Sequence, residues 1–288
     1  MPTFDTPEPI SVTIDISVGD TRIIASDRTD TVVEVRPSSD SKTSDIEAAD
    51  QTRVEYADGR LLIKTPKHWT QYTPFRRVGS IDVTIELPTG SHLDGDSEMG
   101  KFHSEGQLGG CTLKTAMGDI RLDQTGTLHA DTAYGDITVD RATGDADVTT
   151  ASGEIRIREI NGAALIKNSD GDTRVGEAAG DLRVRAANGD VSIERAEASV
   201  SAKTADGNVR IGDVVRGTIV VATADGELEV GIHEGTAAWL DLSAEYGNVD
   251  NSLDDSEAPV ESDKTVQVRA RNAYGDIVIR RASPGDSR

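Results

Sequence analysis

A glycine followed by an acidic residue or asparagine returns along this 288-residue chain at a nearly constant interval. The phrase reads Met117-Gly118-Asp119-Ile120-Arg121-Leu122, then Tyr134-Gly135-Asp136-Ile137-Thr138-Val139, then Ser152-Gly153-Glu154-Ile155-Arg156-Ile157. Gly171, Gly189, Gly207, Gly226, Gly247 and Gly275 carry the later copies, and from Gly100 the steps are 18, 17, 18, 18, 18, 18, 19, 21 and 28 residues. A near-constant period of this size belongs to a repeat architecture.

Two apolar pairs accompany each glycine. Ile120/Leu122, Ile137/Val139, Ile155/Ile157 and Val191/Ile193 stand two and four residues after it. Cys111/Leu113, Leu128/Ala130, Ala146/Val148 and Leu182/Val184 stand seven and five before it. The residues between are mostly polar, and strict period-two alternation marks a strand with one buried face. A second glycine (Gly126, Gly144, Gly162, Gly180, Gly217 or Gly235) follows eight to ten residues later, with Ala198 breaking the series. Each repeat is therefore a coil of two short strands and two turns, because Gly supplies positive φ and Asp or Asn beside it can bond nearby backbone.

One coil cannot bury enough apolar surface to offset the entropy of ordering its backbone. Stacked coils can, by pairing their backbones and extending a common core. The expectation is an all-β, parallel β-solenoid of about 18 residues and two strands per coil, with strands pairing one repeat apart. A meander of antiparallel hairpins would also alternate, but it does not require a fixed repeat length.

Charge and composition narrow the partners. With 51 acidic against 30 basic residues the formal net charge is −21, which disfavours nucleic acid and anionic membrane. Cys111, the only cysteine, falls at a core position and forms neither an internal disulfide nor a zinc cluster. The start Met1-Pro2-Thr3-Phe4-Asp5 lacks a basic region and apolar run, and no stretch approaches 18 apolar residues. On these grounds a cytoplasmic location is expected, with a surface location as the alternative.

Taken in order, residues 1–9 form a loose N-terminus, and residues 10–99 form longer, irregular N-terminal coils with insertions and a cap. Residues 100–250 are the regular solenoid, 251–264 an acidic insertion, 265–281 the last coil and 282–288 a tail. The first coil is read from Val12, Ile14 and Ile23 around Gly19, and an extra strand from Ile81, Val83, Ile85 and Leu87. Atypical ends of this kind protect a solenoid's open edges.

The stretch 66–77 stands apart. It gathers Trp69, Tyr72, Phe75, Arg76 and Arg77, together with Pro66 and Pro74, in an otherwise acidic chain with 3% aromatic residues. Trp, Tyr and Arg are the usual interface anchors, so these five residues are the candidate partner-binding site. The alternative is a structural loop that folds its rings over the cap.

Other chemistry finds little support. The acidic residues after the glycines (Asp119, Asp136, Glu154, Asp172, Asp190) would line one edge about 4.8 Å apart. Cation binding or neighbouring arginines could relieve their repulsion, but turn capping by each carboxylate is the preferred reading. The double glycine of nonapeptide calcium repeats is missing. His68, His92, His103, His129 and His233 lack metal-ligand spacing. With no nucleophile elbow or phosphate loop, the expectation is a non-enzyme with no cofactor and no metal.

The phrases Thr115-Ala116-Met117-Gly118-Asp119-Ile120, Thr132-Ala133-Tyr134-Gly135-Asp136-Ile137 and Asn272-Ala273-Tyr274-Gly275-Asp276-Ile277 resemble the bacterial putative-adhesin family of β-strand repeat proteins, whose function is unassigned. The resemblance covers roughly residues 10–281. It implies a right-handed, β-helix-like solenoid and brings no catalytic residues. The reading is an interaction scaffold that binds a protein partner, self-association included. The alternatives are a self-assembling scaffold similar in principle to bactofilin filaments, or a carbohydrate-active β-helix.

Overall fold

The computed structural model describes residues 1–66, 79–253 and 264–282. They fall into two compact units, Met1–Val139 and Asp140–Arg288.

The second unit holds the most regular coils. In one sheet Ala146, Ala164, Leu182, Val200 and Ile219 stand side by side on successive parallel strands. In the other the column runs Ile155, Thr173, Val191, Val209 and Leu228, again in parallel. Neighbours are thus one repeat apart, as stacking requires, and the antiparallel meander is excluded. The side chains between the sheets are shut away from water, with Ile155, Val184, Val191 and Ile193 at most 1% exposed.

A further core column does not follow the alternation. Ala142, Ile160, Ala178, Ala196 and Val214, seven residues after the turn glycines, are all buried. The step from Ile157 to Ile160 is three residues, because the chain begins to turn there and brings the seventh position after the glycine inward. Each coil therefore buries more apolar surface than period-two counting credits to it.

In the first unit the same device operates on Leu93, Cys111 and Leu128 in one sheet and on Phe102 and Ile120 in the other. Cys111 is a free, buried thiol, and burial pushes its pKa up to about 11. The strands Ser11–Val18 and Thr21–Ser26 form the first coil of the chain but the second in space. Ser11–Val18 lies between Arg60–Lys64 and His92–Met99, and Thr21–Ser26 lies between Ile81–Pro88 and Phe102–Gln107. Outside them the pairing turns antiparallel: Asp30–Pro37 runs against Ile81–Pro88, Thr3–Asp5 against Asp30–Pro37, and Arg53–Ala57 against Arg60–Lys64. The helix Thr43–Gln51 belongs to this same end, where buried Asp45 accepts the backbone N–H of Ser80 at 3.1 Å.

The second unit ends by a comparable inversion. Thr265–Tyr274 inserts between Gly217–Asp225 and Ala237–Tyr246, pairing with both in parallel. Ile277–Arg281 likewise lies between Leu228–Ile232 and Val249–Asn251. Among the described residues, the segment outermost in space is therefore 237–251, not the C-terminal coil.

Candidate interaction site

Every regular coil turns at a corner built from four positions. The glycine is needed for space as well as conformation: at Gly135 φ is +153°, and a Cβ there would lie 2.1 Å from the carbonyl oxygen of Gly118. Three residues earlier, in most coils, stands a small polar side chain that bonds the glycine of the preceding coil, with Ala186 and Ala244 as exceptions. Thr115 and Thr132 donate to the Gly100 and Gly118 carbonyls at 3.2 Å, Thr223 to Gly207 at 3.0 Å, and Asn272 to Gly226 at 2.7 Å. The corner phrases quoted from the sequence contain these residues, but their spacing alone does not reveal the bond between coils.

The acidic residue after the glycine acts across coils as well. Asp119, Asp172 and Asp190 accept the backbone N–H of the equivalent residue one coil on (Asp136, Asp190 and Asn208) at 3.2, 3.1 and 2.8 Å. Capping of the residue's own turn was expected, and the bond goes instead to the next coil, because stacking brings that N–H within reach. Cations complete the edge. Lys101 Nζ lies 3.0 Å from Asp119, and Arg174 pairs with both Asp172 and Glu154. Lys101 first, then the Asp136 N–H, holds the Asp119 carboxyl below the usual carboxylate range. Among the described residues no three His, Cys, Asp or Glu side chains converge on a point fit for a metal ion.

The residue just before the glycine points outward, and in adjoining coils of the first unit it is apolar or aromatic. Val18, Met99, Met117 and Tyr134 lie side by side on adjoining strands. Met99, Met117 and Tyr134 are 47%, 48% and 63% exposed. The same position in the second unit is occupied by Ser152, Asp170, Asn188, Asp206 and Asp225 in the inner coils, and by exposed Tyr246 and Tyr274 in the two outer layers. The apolar column borders an open groove of about 650 Å³ whose floor includes Gly19, Gly100 and Gly118 and whose far wall is Ser38, Ser80 and Asp82. The floor stays bare because a Cβ on Gly100 would meet the Gly19 carbonyl oxygen at 1.8 Å. Asp20 and Lys101 stand at its rim, joined by the Lys101 backbone N–H donating to Asp20 at 3.0 Å. On the wall Ser38 donates to Asp82 at 2.7 Å.

The candidate residues Trp69, Tyr72, Phe75, Arg76 and Arg77 lie outside the described residues. Ser80, close in sequence to that stretch, is in the groove wall. The apolar column itself was readable only as part of the repeat phrase. A methionine or tyrosine beside a turn glycine carries no sign of exposure until neighbouring coils align it with others.

Parallel coils with a polar corner ladder define a β-solenoid repeat protein. The chain belongs to the Toastrack DUF4097 family, whose match spans residues 11–286. Among solved structures, the chain is similar to a putative adhesin from Bacteroides fragilis NCTC 9343, 14% identical over 96% of this chain and 95% of that one, with a TM-score of 0.35. A putative adhesin from Parabacteroides merdae ATCC 43184 is 13% identical over 96% and 94% of the two chains, with a TM-score of 0.32. A putative lipid binding protein from Parabacteroides distasonis ATCC 8503 is 10% identical over 98% and 96%, with a TM-score of 0.31. No curated protein matches the chain. No helix among the described residues is long and apolar enough to cross a membrane.

Proposed function

We propose that this chain is a non-enzymatic interaction scaffold that binds a protein partner through its first unit. The observation that carries this reading is the column of exposed Met99, Met117 and Tyr134, with half-buried Val18, beside the glycine-floored groove. Contiguous exposed apolar side chains on a soluble surface mark interaction sites. Methionine adapts to irregular partners, and tyrosine is a frequent energetic anchor. The bare backbone floor admits an extended segment close to the sheet. Asp20 and Asp82 would favour a partner with basic side chains there. Trp69, Tyr72, Phe75, Arg76 and Arg77 are proposed as further partner-binding residues, on the strength of their chemistry.

The test is capture of partners from the native host by the immobilised full chain, compared with Met117→Glu and with a Trp69→Ala/Arg76→Ala double variant. A partner bound by the wild type should lose at least about 2 kcal/mol of affinity with either variant. The Met117→Glu chain should melt as the wild type does, since Met117 is half exposed. A partner retained equally by all three proteins would refute the assignment.

A further inference from the structure

The second unit leaves its outermost layer unfinished. Among the described residues, strand Ala237–Tyr246 is paired on one side only, with Thr265–Tyr274, and ends its sheet. Its inward-facing Leu240 and Leu242 are only partly covered, whereas the equivalent Val268 and Ala270 one layer in are fully buried. The large exposed apolar side chains described in this unit (Trp239, Tyr246, Val249 and Tyr274) all belong to these two outer layers. Tyr246 stacks on Tyr274 at 5.0 Å with the rings 9° from parallel. The strand contains no proline, lysine or glycine, the residues that usually blunt an edge against further pairing.

We propose that this strand is the docking edge for a second copy of the same chain, paired antiparallel to its own counterpart about a two-fold axis centred near Leu242. The open edge and the half-covered core both ask for one more β-layer at strand spacing, which a helix or a lipid surface does not supply. A two-fold axis makes the contact isologous and closed, so the edge is used up in a dimer.

Charge selects this surface for self-pairing. The chain carries −21 overall, so copies repel over most of their area. In the two outer layers, by contrast, Asp241, Glu245, Asp250 and Asp276 are matched by Arg269, Arg271, Arg280 and Arg281. Asp241 is already held by Arg271 at 2.7 Å. With the axis at Leu242, Asp241 faces Ser243 of the second copy and Glu245 faces Trp239, so no two carboxylates stand directly opposite.

The experiment is light scattering and sedimentation on the full chain. The wild type should run at twice its 30.6 kDa chain mass. Ser243→Asp sets aspartates opposite Asp241 across the axis and should weaken the dimer by about tenfold or more. Ser243→Lys should leave it as tight as the wild type or tighter. Within one chain Ser243 stands beside Arg271, so a mere folding effect would rank the two variants the other way round. The proposal is overturned by a wild-type monomer up to about 100 µM, which would give the face to residues 254–263 or to another protein. It is overturned equally by a dimer indifferent to Ser243→Asp, or by Ser243→Lys weakening it more than Ser243→Asp.

Discussion

The outer layers of the two units solve the same problem in opposite ways. In the first unit the outermost strands are short and reversed: Thr3–Asp5 and Arg53–Ala57 both run antiparallel to their neighbours. Phe4 on one sheet and Tyr56 on the other meet at 5.1 Å and close the space between the sheets. Inside that lid Ile23, Val33, Ile63 and Ile85 are fully buried. In the second unit the outermost strand is ten residues long, parallel to its neighbour, and carries half-covered leucines. Reversal and shortness terminate a stack, because the next layer finds neither a long ladder nor the continuing register. A parallel full-length strand leaves both available.

The difference can be broken at its strongest point first. Ile85→Ala, beneath the closed lid, should cost about 2–5 kcal/mol in urea unfolding, as fully enclosed large-to-small changes do. Leu242→Ala in the open layer should cost about 1 kcal/mol or less in a chain kept monomeric by Ser243→Asp, because water already reaches that side chain. Equal costs would mean that the open layer is covered in solution. Phe4→Ala should come next, at about 1–2 kcal/mol, from the lost ring contact and partial burial. If Phe4→Ala leaves stability unchanged, the rings are not what closes the first unit.

The two units also differ in how far their organisation could be read from residues alone. The regular coils were readable because Ile155, Ile157, Val184 and Ile193 repeat at fixed distances from a glycine, and each distance maps to one side of a strand. Ile160 and Ala178 were not, since the three-residue step into the corner breaks the alternation that identifies inward positions. The inversions at the outer layers were hidden for another reason. Steps of 40, 41, 21 and 28 residues between glycines reveal that something is inserted. They do not reveal whether the next strand adds outside or slips between two existing layers. The groove column was hidden too, for exposure at Met117 depends on what stands beside it in space.

The corner ladder joins coils in both units and gives a smaller test. Thr132→Val keeps shape but removes the donor to the Gly118 carbonyl, and should cost about 1–2 kcal/mol. Asn272→Ala should cost a similar amount through the Gly226 carbonyl. A loss at Thr132 without one at Asn272 would confine the ladder's contribution to the first unit.

The smallest expected effect uses Cys111 as a probe of a closed interior. Its thiol is buried and burial lifts its pKa from 9.0 to about 11. The folded state thus disfavours the thiolate, and the sign follows. Below pH 9 both folded and unfolded chains hold the proton and the cysteine has no pH-dependent effect. Between pH 9 and 11 the unfolded chain loses its proton while the folded chain keeps it, so stability falls as pH rises. At pH 10 the wild type should be about 1 kcal/mol less stable, relative to its own value at pH 8, than Cys111→Ala is relative to its own. The native thiol should also resist a thiol reagent at pH 8, where a cysteine placed at Leu242 in a Ser243→Asp monomer reacts readily. Equal reaction at both positions would show that the regular coils open as easily as the outer layer, and the contrast between closed and unfinished stacks would fail.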